Sequence, residues 1–179
     1  MQKERALIVI VISSTVVIGL AVGFLFINSP GEGIVKDTDL LDRGIQPPDW
    51  TLTMSDGSTT SLHSYRGRFL IVDLMATWCT TCEAENAELE AIYDNMGDSI
   101  WLISLTVDFS ETEAMMADYK AQKNLPWPHG LDTNGVFGNY FNVIYIPSIV
   151  IIDDAGYLRW FHEGFWGESS MNETLTQLM

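Results

Sequence analysis

Cysteine is scarce: the 179-residue chain has two, Cys79 and Cys82, separated by Thr80 and Thr81. A disulfide framework for a small secreted scaffold needs more. A structural zinc site takes about four Cys or His ligands, and the histidines His63, His129 and His162 are scattered. The cysteine pair is therefore either redox-active or incidental, and no metal site is expected. Positive charge is scarce too, with 9 Lys and Arg against 24 Asp and Glu, a net charge of −15. That excludes a nucleic-acid binder, which needs a basic face, and charge-driven docking on anionic lipid. Internal repeats and low-complexity tracts are missing. The length suits one ordinary domain with a small addition.

One long apolar run is present. Lys3 and Arg5 precede an uncharged stretch from Ala6 to Ile27. As a helix it would be about 33 Å long, enough to span a hydrocarbon core of about 30 Å with slight tilt. It is longer than a signal-peptide core, and Phe24–Asn28 offers no small-x-small cleavage site. It reads as an uncleaved membrane anchor. Basic residues before it and Glu32, Asp37 and Asp39 after it place the N-terminus in the cytoplasm and the remainder outside, a compartment that permits disulfides. Pro30-Gly31, Gly33 and Pro47-Pro48 punctuate an acidic stretch that reads as a stalk. The expected plan is a cytoplasmic stub over 1–5, a single-pass anchor over 6–27, a linker over 28–48 and an extracytoplasmic domain over 49–179.

In that domain, Trp50–Met54 and Thr59–Leu62 flank Asp56-Gly57, a hairpin signal. Phe69–Met75 is a near-continuous apolar run, as in a strand buried on both faces. A helix is expected from Cys79 to Met96, a strand from Ile100 to Val107, and a helix over Glu111–Asn124 with Met115, Met116 and Tyr119 on one side. A short helix follows over Asn134–Phe141, then strands over Ile149–Ile152 and Tyr157–His162 and a helix over Ser169–Leu178. Pro126–His129 reads as a rigid loop without chemistry. Trp127, Trp160, Trp166 and Phe165 read as core, with a partner groove as the alternative. Strands alternating with helices and then a closing hairpin imply an α/β fold, a mixed central sheet covered on both faces.

The chemistry centres on Trp78-Cys79-Thr80-Thr81-Cys82, between a buried strand and a helix. A helix start offers unpaired N–H groups and about half a positive charge, both of which stabilise a thiolate. If the Cys79 pKa fell to about 7, its thiolate fraction at neutral pH would rise from about 3% to about 50%, while weaker intrinsic nucleophilicity would cost roughly 5-fold. The larger consequence is thermodynamic: a better leaving group and a more stable dithiol. Cys82, Glu85, Leu89, Ile92 and Met96 share one helical stripe. Cys82 thus faces inward and Cys79 sits at the exposed tip, suited to resolve and to attack. The stripe also carries Glu85 inward, whereas Glu83, Glu88, Glu90, Asp94 and Asp98 read as a solvated acidic face.

Asp73 interrupts the apolar strand that feeds the cysteines. A buried carboxylate is costly and tends to hold its proton, so Asp73 is a candidate proton relay for Cys82. Ile146-Pro147 directly precedes a strand, a permitted position for proline; sequence alone does not fix its isomer.

Together Val72-Asp73, Ala76-x-Trp78-Cys79-x-x-Cys82 and Ile146-Pro147 resemble the thioredoxin superfamily. Asp56-Gly57, Ser61-Leu62, Tyr65-Arg66-Gly67, Glu85, the anchor and the extra helix before Pro147 are similar to its TlpA/ResA branch. The resemblance covers about 49–179. It implies a thioredoxin-like fold with an N-terminal β-hairpin and an inserted helix. It implies that Cys79 attacks a client disulfide and Cys82 resolves it. It also implies that Asp73 is the buried acid, that Glu85 tunes cysteine acidity, and that Trp78 packs beside the site. Pro147 would be cis, with the Ile146 backbone pairing to substrate. The redox disulfide would be the only prosthetic device, with no other cofactor. The sequence departs from the pattern at Thr80-Thr81, at Ala87 where the branch has proline, and in lacking a lysine on strand 100–107 to partner Asp73.

The leading expectation is a membrane-tethered protein-disulfide reductant, serving cytochrome c maturation or a similar task and drawing electrons from a membrane thiol carrier. The alternatives are a disulfide-donating oxidant and a Cu(I) metallochaperone using the same sulfurs with His162 or a methionine. A peroxiredoxin is disfavoured, since the Pro-x-x-x-Thr-x-x-Cys pattern is missing.

Overall fold

A run of seven buried residues, Phe69–Met75, forms β3, the middle of the fold. The computed structural model describes residues 44–179. The expected stub, the anchor 6–27 and most of the linker lie outside the described residues. Among the described residues, no helix is long and apolar enough to cross a membrane.

Seven strands of the described residues make one mixed sheet in the order β2-β1-β5-β4-β3-β6-β7. They are β1 (Thr51–Met54), β2 (Thr59–Ser61), β3, β4 (Ile100–Thr106), β5 (His129–Leu131), β6 (Ser148–Ile152) and β7 (Leu158–Glu163). Strands β3, β4 and β5 run parallel, β6 pairs antiparallel with β3, and β7 pairs antiparallel with β6 and so runs in the direction of β3. Between β1 and β2, Asp56 Oδ1 accepts from Ser58 N–H and Gly57 takes φ 82°, a conformation glycine adopts without steric cost. The parallel strands are apolar in near-continuous runs because both faces are covered.

Alternation along β3 sends Phe69, Ile71 and Met75 to one layer and Leu70, Val72 and Leu74 to the other. The first layer is closed by α1 (Thr80–Met96), α2 (Glu113–Lys123) and α4 (Glu168–Leu178), through Leu89, Ile92, Met116, Met171 and Leu175. The second receives Phe137 and Phe141 from around α3 (Val136–Tyr140), with Leu52 and Leu62. Asp73 shares the parity of Ile71 and Met75 and so opens into the first layer.

Three sequence expectations change. Pro126–His129 is not wholly loop: His129 begins β5, which joins the β1–β2 hairpin to β4. Gly130 lies within that strand because a Cβ there would come 2.5 Å from the Thr53 carbonyl oxygen. Met115 is exposed while Met116 is buried, since consecutive helix residues cannot share a face. Residues from the far end of the linker stretch lie against the domain, with Leu158 N–H donating to the Ile45 carbonyl at 2.8 Å.

Candidate functional site

Cys79 and Cys82 are joined as a disulfide, their Cα atoms 5.2 Å apart. Cys79 is the N-cap of α1, and its Sγ accepts from the Cys82 backbone N–H at 3.1 Å. The cap places the sulfur where the first-turn N–H groups point, and the same groups would stabilise a thiolate after reduction. Cys82 is 2% exposed and faces inward as the helical stripe predicts, whereas Cys79, expected at an exposed tip, is only 8% exposed in the disulfide form, with the Ile146 carbonyl against its sulfur. The Ile146 carbonyl oxygen lies 3.9 Å from Cys79 Sγ, and the Ile146-Pro147 bond is cis.

Two carboxyls are buried in the layer that holds Cys82. Asp73 pairs in register with Ser104 on β4, whose hydroxyl donates to Asp73 Oδ2 at 2.7 Å. Trp127 Nε1–H in turn donates to Ser104 Oγ at 2.8 Å. That indole occupies an acceptor site on Ser104 and so directs the single hydroxyl hydrogen to Asp73. Asp73 Oδ1 has no hydrogen-bond partner. Burial raises the Asp73 pKa to about 7, against a smaller lowering by Ser104.

Glu85 is completely buried, as its place on the stripe predicts. Its Oε1 accepts from Trp166 N–H at 2.7 Å, and its Oε2 is unpartnered. Burial, then the charge of Asp73, pushes its pKa to about 8, opposed by the Trp166 N–H. Ionisation of Asp73 therefore makes ionisation of Glu85 harder.

Trp78 does not pack inward; it is 67% exposed, and its Nε1 donates to Asp108 Oδ2 at 2.7 Å. Thr77, just before it, donates from both its backbone N–H (2.9 Å) and its hydroxyl to Glu111 Oε1. Sequence reasoning passed over Glu111, Asp108 and Ser104. Their partners are more than twenty residues away, and only the β3–β4 register brings them together. Of the expected acidic face, Glu83, Glu90, Asp94 and Asp98 are exposed, whereas Glu88 is half-buried and accepts from Glu168 N–H at the start of α4. Trp127 and Trp166 are core residues, and Phe165 is exposed. His162 stacks on Trp166 at 4.8 Å between centroids.

A family model described as Redoxin matches residues 43–175. Thioredoxin-like protein YneN of Bacillus subtilis is 25% identical over 136 residues, which span 75% of this chain and 79% of that protein. Thiol-disulfide oxidoreductase ResA of Bacillus cereus is 25% identical over 157 residues, 87% of this chain and 86% of that protein. Among solved structures, the pneumococcal exposed lipoprotein thioredoxin Etrx1 of Streptococcus pneumoniae superposes with a TM-score of 0.61 at 26% identity. That alignment covers 72% of this chain and 98% of Etrx1. The likenesses run through the domain that carries the disulfide.

Proposed function

The chain belongs to the Redoxin family, and on that premise we propose that it is a protein-disulfide oxidoreductase acting as a reductant outside the membrane that its N-terminal segment spans. The observation that carries the reading is the Cys79–Cys82 disulfide at the N-terminus of α1, with two buried carboxyls in the same layer. The name of ResA, a thiol-disulfide oxidoreductase, agrees with this reading, and that of YneN with a thioredoxin-like protein.

In the reduced protein, the Cys79 thiolate attacks one sulfur of a client disulfide. A mixed disulfide forms, and the other client sulfur leaves as a thiolate that takes a proton from water. Cys82 then loses its proton and attacks Cys79 Sγ. The second client thiolate departs, and the Cys79–Cys82 disulfide is restored. The client gains two electrons, which a membrane thiol carrier must resupply. Asp73 receives the Cys82 proton. Its pKa of about 7 lies below the free thiol value of about 8.5, and Cys82 is buried, so the transfer is uphill by at least about 2 kcal/mol. Trp78 and the Ile146-Pro147 backbone flank the attacking sulfur and receive the client. The cycle needs no cofactor beyond the two cysteines.

The reductant direction is supported by charge. A stabilised thiolate favours the dithiol and makes an oxidant. The N-terminus of α1 acts in that sense on Cys79, whereas burial of Cys82 and the charge of ionised Asp73 oppose thiolate formation and favour the disulfide. Equilibration with a thiol couple of known potential should give about −270 mV or lower; a value near −120 mV would reverse the direction. The tether is supported by the apolar run 6–27 behind Lys3 and Arg5. Protease added outside intact cells is expected to remove the domain while leaving a membrane-embedded stub. Protection of the domain until the cells are lysed would refute this topology.

A further inference from the structure

The strand registers bring four loops to the edge of the sheet that carries Cys79. Met75 pairs with Thr106, Leu74 with Ser148, and Ser148 with Glu163. The segments after β3, after β4, before β6 and after β7 therefore all emerge there. Each presents a large apolar side chain to solvent: Trp78, Phe109 (77% exposed), Ile144 with Tyr145 (67% exposed), and Phe165. Lone exposed apolar residues are ordinary, but their convergence on one functional edge marks a contact surface.

These loops are held in place by carboxylates. Asp108 accepts from Trp78 Nε1–H, and from Ser110 N–H at 2.8 Å. Glu163 accepts from Ile144 N–H at 3.0 Å. The anchoring groups therefore fix the apolar side chains and leave negative charge between them. The N-terminal turn of α2, which starts from the same edge, adds Glu113, whereas Glu83 in the first turn of α1 is neutralised by Lys123. Among the described residues, no ion pair neutralises Asp108, Glu113 or Glu163. Among the described residues, Arg66 and Arg68 precede β3 at the opposite end, Arg159 is buried against Asp153, Lys120 lies in the last turn of α2, and Lys123 is ion-paired with Glu83.

We propose that this rim selects the client: a polypeptide segment whose disulfide lies among apolar side chains interspersed with lysine or arginine. The selection rests on the oxidoreductase reading and narrows its substrate class. Apolar contacts would supply residence at the edge. The uncompensated carboxylates would attract basic segments and repel acidic ones, a discrimination that salt weakens.

The test uses the reduced full-length chain in detergent and a set of peptides with one internal disulfide, identical except for flanks of Leu/Lys, Leu/Glu or Ser/Lys. At about 0.01 M salt, kcat/KM for Leu/Lys is expected to exceed that for Leu/Glu by about 10-fold, falling to about 2-fold at 1 M. Leu/Lys should exceed Ser/Lys by roughly 5-fold at both salts. The double variant Phe109→Ser with Tyr145→Ser should shrink the second ratio, and Asp108→Asn with Glu163→Gln the first. Each ratio is internal to one preparation, so partial loss of fold does not mimic the result. Reduction of hydroxyethyl disulfide, which is small and neutral, is measured alongside. If that compound is reduced while the peptide ratios stay near one, the rim does not select and the inference fails alone. If no disulfide is exchanged, the oxidoreductase reading fails and takes the inference with it.

Discussion

Replacing Cys79 with serine is expected to bring disulfide exchange to background, a loss on the order of a thousandfold or more in kcat/KM. Cys82→Ser should behave differently. Its Cys79 still lies at the start of α1, with the residue-82 N–H available to the sulfur, so one attack on a client can proceed. The second sulfur needed to expel the client is gone. A covalent adduct should therefore accumulate in one-to-one ratio and be released by added dithiol. Non-reducing electrophoresis and intact mass measurement distinguish the two variants directly. The asymmetry follows from position: Cys79 caps the helix, and Cys82 is turned into the layer with Leu89 and Ile92. Trapping by Cys79→Ser, or full turnover by either variant, would remove the assignment of attack and resolution.

The inward turn of Cys82 was legible in the sequence because helical period fixes it, and the same period placed Glu85 in the interior; the cover over Cys79 comes from the distant Ile146 segment and was not. The buried strands β3, β4 and β6 were legible as continuous apolar runs. The failures share a cause. Strand β5 is three residues long, contains Gly130 and follows Pro126 and Pro128. Nothing local distinguishes it from a loop, and it is a strand because the exposed edges of β1 and β4 require a partner. The environment of Asp73 escaped for a similar reason. Strand β4 carries no lysine, and the actual partner is Ser104, unremarkable until the parallel register places it opposite Asp73. Trp127, assigned to a segment without chemistry, completes that contact from a loop outside the sheet. Periodicity reports which face a residue occupies, but only register and tertiary packing report what it meets there.

Asp73→Asn should make the domain more stable at neutral and alkaline pH and its chemistry slower. The folded-state pKa of Asp73, about 7, is raised above the ordinary carboxyl value of 3.8 by burial. Below about pH 4 the carboxyl is protonated both folded and unfolded, so its full contribution to stability is present. As pH rises from about 4 to about 7, the unfolded chain ionises freely while the folded one resists. The wild type loses stability across that window, at up to about 1.4 kcal/mol per pH unit, and then levels off. Asparagine carries no such cost and can still accept from the Ser104 hydroxyl, although its new N–H groups inherit the unpaired position at Oδ1. The net gain is expected to be on the order of 2 kcal/mol above pH 8 and close to none at pH 4, read from urea unfolding at both pH values. Glu85 should respond as well, because the Asp73 charge helps hold its pKa near 8; in the variant Glu85 should titrate lower. Resolution of the mixed disulfide should slow by roughly 100-fold near pH 7, since the base for Cys82 is gone, and its pH profile should lose the inflection near 7. Equal stability differences at pH 4 and pH 8 would show that Asp73 is not a strained acid. An unchanged resolution rate would show that Cys82 gives its proton elsewhere.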